Sequence, residues 1–473
     1  MTAPKIAIKE FQLFERPVTL RLPFRFGVVT LTEAREAVMR VRVELETGEG
    51  AWGVAAEMLA PKWFDKNPEL SNDQNVGQLR LSLRTACGLY GEGGGRKSAF
   101  GHFADNYEAQ IETCADLGLN ALIACYGPAL VDRAVLDGLC RALGVSFYEA
   151  IGKNLAGIEA TTFAPVGDGF DFGAFLGTLE PAKSIHARHT VGLVDPITAA
   201  DQAPGDRVDD GLPETLEEVI SAYGQTYFKV KVGGDLDADI ARLTDIAAVL
   251  DGADGDYHVS LDGNEQYDDV DEVLELWEAM AAKPDLQRFV GSILYIEQPI
   301  RRQTAATADI TSLAAKRPVI IDESDADFSA FPNARTLGYQ GVSSKTCKGI
   351  YRSLINLARA RIWSAAGGAG YFLSAEDLTT QAGISVQQDL ALVTLLGLTH
   401  VERNGHHYVH GMAGYPLVEQ EAFLAKHGDL YGRVGDTVCL RITDGMLAIG
   451  SLACAGFATA VQPDWASLEP MAD

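Results

Sequence analysis

Along the second half of the chain, short apolar runs end in residues that could do chemistry together. Phe228-Lys229-Val230-Lys231-Val232 is followed by Ser260-Leu261-Asp262-Gly263-Asn264, Tyr295-Ile296-Glu297-Gln298-Pro299, Ile320-Ile321-Asp322-Glu323-Ser324 and Ser343-Ser344-Lys345-Thr346-Cys347-Lys348. The steps from 231 to 262, 297, 322 and 345 are 31, 35, 25 and 23 residues, each the length of one strand-plus-helix unit. Three acids with no His or Cys among them would repel one another if brought together. A hard divalent cation resolves that, and oxygen-only ligands select Mg²⁺, which keeps positions open for water and a substrate oxygen. Lys229 and Lys231, two apart on a strand, share a face. A lysine that is partly desolvated beside a cation has a lowered pKa and can act as a general base. Two lysines flanking a metal-bound carboxylate can remove and return the proton at its α-carbon, the cation stabilising the enediolate in between.

These residues need a scaffold that brings consecutive strand ends to one mouth. Strands are expected at 185–193, 226–232, 257–262, 292–297, 318–322, 341–345, 370–374 and 398–402. Helical patterns at 214–223, 237–250, 270–281, 304–315, 353–365 and 385–396 fill most of the gaps. Eight strands alternating with helices predict a (β/α)7β, TIM-like barrel, whose chemistry sits at the C-terminal strand ends; an open doubly wound sheet is the alternative. Before it, Met39, Val41, Val43 and Leu45 alternate with charged residues as in a half-buried strand. Thr47-Gly48-Glu49-Gly50 turns the chain toward a partner strand at 51–57. Val131, Val135, Leu139 and Leu143 mark one helix face, closed by Gly144 as C-cap. The expected organisation is an α+β capping domain over 1–160, the barrel over 161–414, and a β-rich tail over 415–473. That tail should carry a turn at Asp444-Gly445 and pack back on the cap.

Composition removes several function classes. The 473 residues carry a formal net charge of −26, a field that repels nucleic acid and anionic lipid. No apolar run is long enough for a membrane span, and residues 1–15 lack the apolar core of a signal peptide. Seven scattered cysteines without a CxxC pair read as reduced thiols, so the expected location is the cytoplasm. The expected partner is a small carboxylic acid.

The lysine–acid–acid–acid–lysine series resembles the enolase superfamily, and within it the muconate-lactonizing-type branch with its Lys-x-Lys pair and second lysine. The resemblance covers about 226–405 and extends more weakly into the cap through 134–145. It implies Asp262, Glu297 and Asp322 as Mg²⁺ ligands and Lys231 and Lys345 as the acid/base pair. It further implies that Lys229 helps hold the substrate carboxylate, that Glu323 orients Lys345, and that Glu402 on the last strand touches substrate. Two cap loops, mapping to Pro23-Phe24-Arg25-Phe26-Gly27 and Ala55-Ala56-Glu57-Met58 with Lys62 and Trp63 beyond, would close over the mouth. Arg25, Phe26 and Glu57 are therefore expected to contact substrate together with Asn264. Relatives of this kind are homo-oligomers. The absence of His near the seventh strand (Tyr371-Phe372-Leu373-Ser374) argues against the mandelate-racemase arrangement, and the long 262–297 step departs from the branch. The implied activity is racemisation or epimerisation, with dehydration and cycloisomerisation as alternatives on the same constellation.

Other readings are weaker. Any one acid could be a helix N-cap, and Lys348 competes with Lys345 for the sixth-strand position. Gly233-Gly234 could approach a phosphate but carries no phosphate-loop pattern. His406 and His410 have the i, i+4 spacing of zinc ligands, but flanking Gly405 and Gly411 break the helix such a site needs. Arg188-His189 could reach a distal substrate group. A barrel turned binding scaffold is the non-enzyme alternative, against which stands the cost of buried charges left without a function.

Overall fold

The computed structural model describes residues 3–26, 29–367 and 370–472. Three long antiparallel strands, β1 (Ile6–Phe26), β2 (Val29–Leu45) and β3 (Gly50–Met58), form the cap sheet, and helices α1 (Asn72–Glu92), α2 (Ala99–Asp116) and α3 (Ala121–Leu143) pack with it. The expected alternation over 39–45 is real: each odd residue there is buried against the helices. α3 begins at the Asn120 side-chain cap and ends at Gly144, whose φ of 67° is the left-handed C-cap geometry. At Gly53 the sheet meets α3 so closely that a Cβ would lie 2.2 Å from the Gly138 nitrogen. Any side chain there would push β3, and the loop it carries, off the barrel mouth.

Eight strands follow: β4 (Ser184–Val191), β5 (Tyr227–Lys231), β6 (His258–Asp262), β7 (Ile293–Glu297), β8 (Val319–Ile321), β9 (Gly341–Ser344), β10 (Phe372–Ala375) and β11 (His400–Arg403). All pair in parallel from β4 to β10, and β11 returns to pair with β4. Among the described residues no ladder joins β10 to β11. Side chains bridge that seam instead: Arg188 of β4 donates to the Ala375 carbonyl, and Glu402 of β11 accepts from the Asp377 amide at 2.9 Å. The helix expected at 304–315 is two short pieces, Arg302–Ala305 and Thr311–Ala314. Asp309 accepts from the Thr311 amide at 2.9 Å, a local side-chain bond that ends one turn and starts another.

The tail divides between the two layers. Strands β12 (Tyr431–Val434) and β13 (Thr437–Leu440) pair with each other, and the hairpin of β14 (Ile442–Thr443) and β15 (Met446–Ala448) turns at Asp444-Gly445. Contrary to expectation this hairpin joins the barrel, since β15 pairs antiparallel with β4. Other parts of the tail return to the cap as expected: Glu419 pairs with Arg16 of β1 at 2.8 Å. The Phe457 ring stacks on Phe147 at 3.8 Å, the Phe457 amide donates to Asp137 of α3, and β16 (Glu469–Pro470) pairs with β1. Among the described residues no helix is long and apolar enough to cross a membrane.

Candidate active site

Register explains why the spaced residues meet. Lys231 of β5 lies opposite Asp262 of β6, and Asp262 lies opposite Glu297 of β7, so three neighbouring strands end in one row. Asp322 follows β8 directly and Lys345 follows β9. All five side chains are buried. Lys231 Nζ donates to Asp262 Oδ2 at 2.5 Å, and Lys345 Nζ donates to Asp322 Oδ2 at 2.6 Å. Each proposed base is thus paired with a carboxylate from the strand beside it. The two lysines line a chamber of about 30 Å³, together with Lys229, Phe24, Trp63, Asn264 and Glu402. Trp63 offers its ring face to Lys345 Nζ at 4.4 Å.

Lys229 lies deeper. Its Nζ reaches Asp262 at 2.9 Å, Glu297 at 2.8 Å, Glu376 at 2.7 Å and Glu402 at 2.9 Å. Burial alone would lower its pKa, but the four carboxylates reverse that and hold it well above the usual lysine range. Burial likewise opposes a charge on Lys345, and Asp322 overrides it upward. Asp322, burial notwithstanding, is held low by Lys345, Lys348 and Lys229, and Asp262 by Lys229 and Lys231. Glu297 goes the other way. Burial and repulsion from Asp262 and Glu376 raise it well above the carboxylate range despite Lys229. One of its oxygens accepts from Lys229, and the other makes no hydrogen bond.

Among the described residues no three His, Cys, Asp or Glu side chains converge in metal-ligating geometry; ammonium groups pair with the acids instead. The donor chemistry still fits a hard cation. Asp262, Glu297 and Asp322 offer only oxygens, and the repulsion of Glu297 by Asp262 is one that a cation between them would relieve.

The remaining expected residues are placed less uniformly. Asn264, in a left-handed backbone conformation (φ 42°), lines the chamber and donates its backbone N–H to Asp262 Oδ1 at 2.8 Å. Glu402 also lines it, accepting from Thr190 at 2.7 Å as well as from Lys229. Glu323 does not bond Lys345: its Oε1 accepts from Asn264 at 3.3 Å and from Lys66 at 3.4 Å. Lys66 belongs to the cap loop, so Glu323 faces the cap rather than the base. Glu57 is consumed by Arg133 at 2.9 Å and Thr346 at 3.0 Å, behind the chamber wall. Arg25 is exposed on β1, and its neighbour Phe24 faces inward, stacked on Tyr408 at 4.0 Å. The side chain of Phe26 and all of Gly27 lie outside the described residues. Lys348, the competitor of Lys345, is buried outside the chamber lining, holding Ser343 Oγ at 2.7 Å and the Asp322 carbonyl at 3.0 Å.

Two residues matter more than their sequence context suggested. Glu376, just past β10, joins Lys229 to Arg188 and accepts from Tyr295 at 2.8 Å. It obeys the same strand-end rule as the other acids, two positions beyond the seventh-strand segment Tyr371-Phe372-Leu373-Ser374, which carries no histidine. Arg188 points into the barrel and is fully buried against that acid, which makes it a barrel-interior residue and not a distal substrate contact. His189, His406 and His407 gather at ring separations of 4.8 to 6.5 Å, and burial keeps all three neutral by lowering their pKa.

A barrel with paired lysines and acids at its C-terminal strand ends, roofed by an α+β cap, defines a class of capped-barrel proteins. Residues 211–396 match the family model described as enolase C-terminal domain-like. That match spans the barrel from ahead of β5 to the helix before β11, and over its whole length the chain is similar in fold to solved capped barrels. Solved structures with the same fold include a dipeptide epimerase from Enterococcus faecalis V583 complexed with Mg and L-Leu-L-Tyr (16% identity, TM-score 0.59, covering 96% of this chain and 99% of that one). A muconate lactonizing enzyme from Pseudomonas fluorescens complexed with muconolactone is similar (17%, TM-score 0.56, 98% of each chain). So is an enolase from Bradyrhizobium complexed with magnesium and mandelic acid (16%, TM-score 0.57, 98% and 97%). No curated protein sequence matches the chain.

Proposed function

We propose that this protein is a Mg²⁺-dependent enzyme that abstracts the proton α to a substrate carboxylate, and that it returns that proton as a racemase or epimerase. The observation that carries the reading is the pair of lysines, Lys231 from β5 and Lys345 from β9, lining one chamber with a strand-end carboxylate beside each. Asp262, Glu297 and Asp322 are the residues that would hold the cation, which when bound supplies positive charge at the substrate carboxylate and draws their charge away from the lysines. Lys231 Nζ and Lys345 Nζ belong to strands four apart around the barrel, so a proton taken from an α-carbon by one can be supplied by the other from the opposite side. Lys229 fixes Glu297, Glu376 and Glu402 beneath the chamber and neutralises them. Phe24 and Trp63 exclude water from above.

The same pair of bases supports β-elimination and cycloisomerisation, and the ligands of the solved neighbours span a dipeptide, a lactone and a hydroxy acid. Exchange of the α-proton separates these outcomes. The protein is incubated with Mg²⁺ in D₂O with pooled dipeptides, N-acyl amino acids, hydroxy acids and lactones, and the α-proton is followed by NMR. Metal-dependent loss of that signal from both enantiomers of one acid is the expected result. Loss of water selects a dehydratase, and no exchange from any acid in a pool of this breadth overturns the enolisation reading in favour of a binding scaffold. The reading also places the protein in the cytoplasm, consistent with seven free cysteines, and as a homo-oligomer, which light scattering tests.

A further inference from the structure

The lysine chamber is small beside its neighbour. A cleft of about 810 Å³ opens beside it, between the cap segment 65–68, the turn joining α2 to α3, and the loops that follow β7 and β8. That size and its mixed lining are those of a small-molecule site. Its cations are already spent. Arg302 makes two bonds of 2.8 Å to Glu265 and two to the backbone carbonyls of Trp63 and Phe64. Arg301 pairs with Asp268 at 2.8 Å, and Lys66 with Glu265 at 2.6 Å and the Asn264 carbonyl at 2.6 Å. Negative charge is left over. Among the described residues Asp65 and Asp327 line the cleft without an ion pair, and Glu323, only 1% exposed, meets Lys66 through Oε1 at 3.4 Å and has an Oε2 with no hydrogen-bond partner. Leaving such an oxygen unpaired is costly unless something donates to it. The floor, by contrast, is apolar, built from Leu122, Ile321, Ala305, Ala334 and Leu337.

We propose that this cleft binds a small aliphatic amine or guanidine, its cationic head donating to Glu323 and its alkyl chain lying on the alanine–leucine floor. The site is distinct from the lysine chamber, and Asn264 forms the wall between them: it lines the chamber and donates its side-chain amide to Glu323. The proposal does not depend on the proton-abstraction reading.

Isothermal titration of the full-length protein with agmatine, in the presence of a chelator, tests it. Agmatine binds, glutarate does not, and Lys345→Ala binds agmatine as the unmodified protein does. Glu323→Gln weakens binding at least about tenfold. Ala306→Trp, an exposed position on the cleft rim, fills the cleft without touching Glu323 and blocks binding as well. Circular dichroism confirms that both variants fold. Absence of agmatine binding, equal binding of glutarate, or affinity retained in a folded Ala306→Trp overturns the proposal, and so does affinity retained in a folded Glu323→Gln.

Discussion

At the scale of single residues, the barrel interior is a balance of buried charge. Lys229 is the hinge of that balance, since its one ammonium serves Asp262, Glu297, Glu376 and Glu402. Lys229→Met keeps the apolar stem and leaves those acids uncompensated, so it should cost about 3–5 kcal/mol, read as a lowered urea midpoint. Stability equal to that of the unmodified protein would show that the carboxylates find other partners. Lys231 and Lys345 share the chamber lining with Lys229 but stand in a different relation to the fold, each with one carboxylate partner. Lys231→Ala and Lys345→Ala should each lower α-proton exchange about 10³-fold with Mg²⁺ affinity kept. Near-normal exchange in either variant would remove that lysine from the acid/base pair.

At the scale of elements, the cap loop closes the chamber because the barrel holds it. Arg302, at the start of the short helix after β7, reaches across to the carbonyls of Trp63 and Phe64, and Lys66 reaches back to Glu265. Trp63 thereby keeps its ring over Lys345. Arg302→Ala should release the segment from Leu59 to Pro68, visible as faster amide hydrogen exchange there with barrel strands unchanged. Unaltered protection of that segment would mean that packing of Trp63 and Phe64, not the arginine, holds it. The same scale explains why Phe24 and not Arg25 faces the chamber. Alternate side chains of a strand face opposite ways, and Val18, Leu20, Leu22 and Phe24 are buried in unbroken step, which leaves Arg25 on the outer face.

For the molecule as a whole, cap, barrel and tail share a buried polar junction. Glu36 on β2 is buried beside Arg16 of β1 and accepts from Tyr415 of the tail at 3.2 Å. Burial, only partly offset by Arg16 and Tyr415, pushes its carboxyl from 4.5 up to about 7. An acid raised in the folded state favours folding below its unfolded value and withdraws that support as pH rises through the folded one. Between about pH 4.5 and about pH 7 the protein should lose on the order of 3 kcal/mol through this group. Glu36→Gln cannot ionise, so its urea midpoint, compared with that of the unmodified protein at about pH 5 and about pH 8, should gain at the higher pH. A pH-independent difference between the two would show that Glu36 is not charged in the unfolded chain alone.

The strand ends were legible in the sequence because parallel barrel strands are short apolar runs at near-regular spacing. The residue just past each run must then face the mouth, whatever the loops do. That placed Lys231, Asp262, Glu297, Asp322 and Lys345 in one chamber region before any contact was known. Partners were not legible. Whether Glu323 meets Lys345 or Lys66, whether Glu57 faces substrate or Arg133, and where Glu376 reaches are set by how cap and barrel dock, between residues as far apart as Lys66 and Glu323. The sequence determined the strand order and the charges carried to the mouth, through local periodicity and turn chemistry. Only the tertiary structure decided which charge neutralises which, because burial and Coulomb energy depend on distances that separation along the chain does not set.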